Sequence, residues 1–167
     1  MEQIPYEIER KFLIRYPDMA WLEAHAEPSR IEQTYLLSPE GSTDRVRSRE
    51  TGGRTVYTHT VKQRLTAIRR IEIENEISRG EYETLLRRAD PDMNSIRKVR
   101  WCLRENGFLY EIDVFPFWTD RAFLEIELTD EGQSFPWPEH IELIREVTDD
   151  RRYTNAALAL EVPYDEI

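Results

Sequence analysis

The sequence is 167 residues long, 40% hydrophobic and 34% charged, with a formal net charge of -10 at pH 7. That length can bury a real core within one domain spanning 1–167, and the acidic balance opposes a nucleic-acid partner while leaving room for a small anion in a local basic pocket. The single cysteine, Cys102, excludes an intrachain disulfide, no stretch nears the roughly 20 apolar residues of a membrane helix, and Met1-Glu2-Gln3-Ile4-Pro5 carries no signal pattern, so the expectation is a cytoplasmic protein with no membrane partner.

Residues 4–15 read as a strand with Glu7, Glu9 and Lys11 on one face and Ile8, Phe12 and Ile14 on the other. Asp18 then caps a short helix over 19–26, which Pro28 stops. A second strand covers 30–37. The third carries Arg45, Arg47 and Arg49 and joins the fourth, 54–64, through Thr51-Gly52-Gly53. In 70–77 isoleucine alternates with charge except at Asn75. Residues 80–89 change to helical spacing, with Tyr82, Leu85, Leu86 and Ala89 forming a stripe that reads as core packing. Three strands follow over 95–103, 108–115 and 122–129, the first two linked by the tight turn Asn106-Gly107. Beyond the proline-rich loop 135–138, residues 139–145 read as a solvated helix face. Thr148-Asp149-Asp150 then reads as the start of a helix over 151–160.

Eight strands with short connections predict an α+β protein built on a closed antiparallel barrel, which leaves no exposed sheet edge. The polar strand faces carry Glu7, Glu9, Lys11, Arg45, Arg47, Arg49, Lys62, Arg64, Arg70, Glu72, Glu74, Lys98, Arg100, Glu111, Asp113, Glu125 and Glu127. Periodicity alone does not say which face is inside. The two helical segments favour the charged face inward, because their apolar stripes need an apolar outer barrel surface to cover. A lumen of mixed charge has a specific use: carboxylates are hard oxygen ligands for Mg²⁺ or Mn²⁺, and Arg and Lys clamp phosphoryl oxygens. The same residues also admit plainer roles. Arg45, Arg47 and Arg49 fit a charged edge strand, and Lys98 and Arg100 fit cross-hairpin surface pairs with Glu111 and Asp113. His25, His59 and His140 have no ligand spacing, and Cys102 has no motif around it.

In order along the chain, Glu7-x-Glu9-x-Lys11, the arginines of the third strand, Lys62, Arg70-x-Glu72-x-Glu74, Lys98-x-Arg100, Glu111-x-Asp113, Glu125-x-Glu127 and the run 146–155 resemble the CYTH domain, or triphosphate tunnel metalloenzyme, family. The resemblance implies an eight-stranded tunnel with a charged lumen and a C-terminal plug helix. It implies hydrolysis of inorganic tripolyphosphate or a related linear triphosphate with Mg²⁺ or Mn²⁺. By the same resemblance, Glu7, Glu9, Glu72, Glu74, Glu125 and Glu127 are metal ligands. Lys11, Lys62, Arg70, Lys98 and Arg100 clamp the triphosphate, with Arg45, Arg47 and Arg49 where the motif needs two arginines. Arg152, or its neighbour Arg151, is the basic group of the plug, and Lys11 and Arg152 are the groups nearest the chemistry. Adenylate cyclase and thiamine triphosphatase activities fall under the same resemblance, and a non-catalytic polyphosphate- or nucleotide-binding module is the reading from another class. The expected partner is a small-molecule triphosphate, and the expected state a monomer or homodimer.

Overall fold

The structure, a computed structural model, describes residues 6–66 and 68–167, and all of their side chains except those of Tyr6 and Glu7. The elements are β1 (Tyr6–Arg15), α1 (Met19–His25), β2 (Glu27–Leu36), β3 (Ser42–Thr51), β4 (Arg54–Arg64), β5 (Arg69–Ile77), α2 (Arg79–Leu86), β6 (Ile96–Glu105), β7 (Phe108–Val114), β8 (Arg121–Leu128), β9 (Leu143–Glu146), a 3₁₀ turn at Arg151–Tyr153 and α3 (Asn155–Leu158).

The strands form one antiparallel sheet in the order β5-β4-β3-β2-β6-β7-β8-β1-β9, and β5 returns to β1 to close a barrel. Sequence-local hairpins supply most of the ring. The turn at Asn106-Gly107, with φ of 52° and 79°, is the left-handed pair that fits the twist of β6 and β7. Among the described residues the closure is made by Tyr6, Glu7 and Ile8 pairing with Ile71, Arg70 and Arg69, and by the Glu9 amide donating to the Ile68 carbonyl at 3.2 Å. The rest of that edge of β1 is taken by β9, which pairs at Phe12, Leu13 and Ile14. A strand at 143–146 therefore stands in the second half of the segment, 139–145, that was expected to be a solvated helix face. The physical reason is the open row of main-chain donors and acceptors that β1 presents beyond β5.

The barrel has an apolar layer on each side of its wall. Outside, Phe12, Ile14, Trp101, Leu103, Tyr110, Ile112, Leu124 and Ile126 are buried under Leu22 of α1 and under Phe135, Trp137 and Ile141 of the following loop. Trp137 meets the Phe12 ring edge-on at 5.2 Å. The helix α2 buries none of its residues fully, and Tyr82 meets Tyr57 at 4.8 Å between ring centroids. Its stripe leans on the sheet rather than entering a core. Inside, one end of the barrel is filled by Leu13, Tyr35, Ile96, Phe115, Phe123, Val147, Tyr153 and Leu158.

The helix expected over 151–160 is divided. Asp150 caps the 3₁₀ turn by accepting from the Arg152 amide, and Thr154 caps α3 by accepting from the Ala157 amide. Two capping side chains four residues apart end one segment and begin another.

Candidate active site

The charged strand faces line the barrel interior. The inward side chains of β1 to β8, with 147–156 at one side, enclose a cavity of about 470 Å³. Among the described residues, nine basic side chains line it (Lys11, Arg45, Arg47, Arg49, Lys62, Arg64, Arg70, Arg100 and Arg151) against six carboxylates (Glu9, Glu72, Glu74, Glu111, Glu125 and Glu127). The period of two fixes this: each strand contributes alternate residues to one face, and pairing holds neighbouring strands in register.

Opposite charges meet across strand pairs. Arg70 on β5 donates to Glu9 on β1 at 2.5 Å, Lys62 on β4 lies 3.4 Å from Glu72 on β5, and Thr60 donates to Glu74 at 2.8 Å. Lys11 lies 3.3 Å from Glu125, donates to the Tyr153 carbonyl at 3.1 Å, and sits 4.6 Å above the Phe123 ring. Deeper in the wall, Arg100 bonds Asp113 through two nitrogens at 2.8 and 2.9 Å and Glu111 at 2.9 Å.

Lys98 does not reach the cavity. Its side chain is completely buried and donates to Asp113 at 2.7 Å, with the Phe115 ring 5.7 Å away. Burial opposes ionisation of Asp113, yet Arg100 and Lys98 hold its carboxyl well below the usual range. The pairing of Lys98 and Arg100 with Glu111 and Asp113 is therefore real but buried, where removing one partner is costly, rather than a solvated surface pair. Arg152 also lies off the cavity. It is 58% exposed and pairs with Asp150 at 2.8 Å and Asp165 at 3.9 Å, while Arg151 faces the lumen. All three arginines of β3 line the cavity. The Glu7 side chain lies outside the described residues, although its main chain pairs with Arg70.

Like charges are also forced together. Burial, then Glu9 and Glu72, push the Glu127 carboxyl up, and burial, Glu125 and Asp113 do the same to Glu111 against the pull of Arg100. Burial with Arg45 and Arg100 lowers Arg47 to about 9, and burial with Arg45 and Arg70 lowers Lys62 to about 8. The Nε groups of Arg45 and Arg47 are buried with no hydrogen-bond partner. Unsatisfied guanidinium donors beside crowded cations suit an anion with several oxygens, and crowded carboxylates suit a hard cation. Among the described residues no three acidic, His or Cys side chains are grouped closely enough to hold a metal. Glu9, Glu72, Glu111 and Glu125 are instead turned toward lysine and arginine. The donor set fits divalent metal in kind, with bases occupying its place.

Tyr35, Thr43, Arg64, Glu111, Thr148, Tyr153 and Asn155 also line the cavity without having been singled out as site residues. For Arg64 and Glu111 the inward parity was visible in the sequence. For the residues of 148–155 no strand parity applied.

The family model of the CYTH domain matches residues 5–137. An inorganic triphosphatase from Nitrosomonas europaea is 36% identical, the alignment covering 94% of this chain and 99% of that protein. An inorganic triphosphatase from Acetivibrio thermocellus is 34% identical over 95% of each. A crystal structure of an inorganic triphosphatase superposes with a TM-score of 0.58 at 30% identity, covering 98% of both chains.

Proposed function

The chain belongs to the CYTH domain family, and from that premise we propose that it hydrolyses inorganic tripolyphosphate, or a related linear triphosphate, inside the barrel with a divalent metal, Mg²⁺ or Mn²⁺. The observation that carries the reading is the closed lumen in which bases and acids interleave, with a basic excess and two buried guanidinium donors left unpartnered.

Arg45, Arg47, Arg49, Lys62, Arg70, Arg100 and Arg151 would bind the phosphoryl oxygens, the fork-shaped guanidinium groups taking two oxygens each. Glu9, Glu72, Glu74, Glu125 and Glu127, with Glu7, are the residues that would hold divalent metal, which when bound supplies charge neutralisation and polarisation of phosphoryl and water oxygens. Lys11 holds one donor on the Tyr153 carbonyl and another toward Glu125, which leaves its third N–H for a substrate oxygen. Burial opposes ionisation of Glu125, yet Lys11 and Arg100 keep its carboxyl at about 2, so it stays an anion throughout the working range. Catalysis of this kind is positioning and charge stabilisation rather than covalent chemistry by the protein. Lys98 takes the part of a buried counter-ion: with Arg100 it fixes Asp113, and Asp113 in turn orients the Arg100 guanidinium.

A linear triphosphate is preferred to a nucleotide on one further observation. Tyr35 and Tyr153 are the aromatic residues among those lining the cavity, and both are buried with hydroxyls engaged by Gln33 and Asp165. Neither offers a free face on which a nucleobase stacks.

The test is phosphate release by Glu127→Gln. The carboxamide keeps the volume but not the charge, so turnover should fall at least about a hundredfold, the scale of losing one electrostatic stabiliser of a transition state, with the melting temperature held. Wild-type turnover in that variant would remove the acidic cluster from the mechanism.

A further inference from the structure

Residues 163–165 are fastened to the closed end of the barrel by contacts with Trp118, Arg121, Arg145 and Tyr153. The Trp118 indole donates to the Pro163 carbonyl at 3.0 Å. Arg121, whose side chain is 3% exposed, donates to the Asp165 carbonyl at 2.6 Å and approaches the Asp165 carboxylate at 3.5 Å. That carboxylate accepts from the Tyr153 hydroxyl, which Arg121 also reaches at 3.2 Å. Arg145 approaches the same carboxylate at 3.4 Å. Tyr153 is fully buried, its ring against Trp118 and Phe123. On the other side of the same residue, the Tyr153 carbonyl holds the Lys11 ammonium, and Arg151 two positions earlier faces the cavity.

We propose that Asp165, with Arg121, is a positioning residue for the hydrolysis reaction, acting through Tyr153 to fix the carbonyl that aims Lys11 and the turn that presents Arg151. The proposal rests on the triphosphatase reading above. Asp165 does not itself line the cavity, and of the residues that do its carboxylate meets Tyr153, so its effect reaches the substrate through the Tyr153 turn. When that turn is released, Lys11 keeps Glu125 as its charged partner and is drawn toward it, away from the geometry in which its third N–H meets substrate. The segment 151–154 has few main-chain bonds of its own: the Tyr153 amide bonds the Asp150 carbonyl, and the Arg152 amide bonds the Asp150 side chain. A short turn of this kind holds its place by what its side chains grip.

The experiment is steady-state tripolyphosphate hydrolysis by Asp165→Ala, Tyr153→Phe, the double variant and Asp165→Asn, with amide exchange over 151–158 on each protein. Asp165→Ala and Tyr153→Phe should each lower kcat about tenfold with KM within about twofold, because small misplacement of a catalytic group costs rate rather than affinity. The double variant should be no slower than the slower single, as both break one link. Asp165→Asn keeps an oxygen that accepts from Tyr153 and should recover most of the rate, although it loses the charge that Arg145 and Arg152 meet. Exchange over 151–158 should rise about tenfold in Asp165→Ala and stay unchanged in the barrel strands. Wild-type kcat in Asp165→Ala, additive losses in the double variant, or an equal loss in Asp165→Asn would overturn the proposal. If the wild type itself releases no phosphate, the triphosphatase reading fails on its own, and exchange decides the clasp: unchanged protection over 151–158 in Asp165→Ala overturns it.

Discussion

Lys62 shows what the lumen does to a single group. Burial, Arg45 and Arg70 lower its ammonium from 10.5 to about 8, although Glu72 and Glu9 pull the other way. Without an anion the charged form is penalised, so between about 8 and 10.5 the unfolded chain binds more protons and this group's contribution to stability rises with pH. Anion binding has the opposite sign. The charged lysine is the binding form, so tripolyphosphate affinity should fall as pH rises through about 8, by several-fold between pH 7 and 9, and binding near pH 8 should be accompanied by proton uptake. Calorimetric titrations in buffers of different ionisation enthalpy read both effects. Lys62→Arg, which stays charged, should flatten the dependence. A slope unchanged in Lys62→Arg would assign the titration to another group. At this scale the sequence was highly legible, because alternation puts Glu9, Lys11, Lys62, Glu125 and the β3 arginines on one face and the apolar stripes of the two helices turn that face inward. Depth along the barrel was not read, although it left a signal. Leu13 follows Lys11, Phe115 follows Asp113, Phe123 precedes Glu125 and Ile96 precedes Lys98, all at inward parity and all at one end. Those four mark the apolar floor beside which Lys98 is sealed.

At the scale of elements, the two helices that argued for an inward charged face do unequal work. Leu22 of α1 is fully buried in the outer core, whereas Leu85 of α2 is half-buried. Leu22→Ala should cost about 2–5 kcal/mol in denaturant unfolding, and Leu85→Ala nearer ~1 kcal/mol, with tripolyphosphate turnover retained in both because neither touches the lumen. Equal costs would mean that α2 closes a core of its own. The contrast agrees with the outer surface of β4 and β5, where Val61 and Ile73 remain exposed. Element existence was readable wherever a strand had a hairpin neighbour. It failed at β9, because 143–146 becomes a strand only by meeting the unpaired half of β1, about 130 residues earlier in the chain, and that is a tertiary fact. It failed at 151–160 for a local reason, since Thr154 was a second N-cap inside the expected helix. Pro28 likewise lies inside β2, near its start opposite Trp101, where a missing N–H is tolerated.

At the scale of the molecule, charge is sorted rather than balanced. The chain carries -10 overall, yet the described lining of its cavity is basic in excess. An anionic substrate is therefore repelled by the exterior at long range and attracted in the lumen, which favours a small, highly charged ligand over an extended polyanion. The internal ion pairs give the lumen a second property. Three of the acids that would hold metal are paired with bases that would hold phosphate: Glu9 with Arg70, Glu72 with Lys62, Glu125 with Lys11. A polyanion alone strips cations from buried carboxylates, and a metal alone strips carboxylates from buried cations. The two together exchange every partner and leave no charge uncompensated. The coupling of metal and phosphate sites is tested by phosphate release from tripolyphosphate and from ATP, each with Mg²⁺, with Mn²⁺ and with chelator. Release from tripolyphosphate should be metal-dependent, well above that from ATP, and abolished by chelation. Release that persists in chelator, or none from tripolyphosphate under any condition, would contradict it.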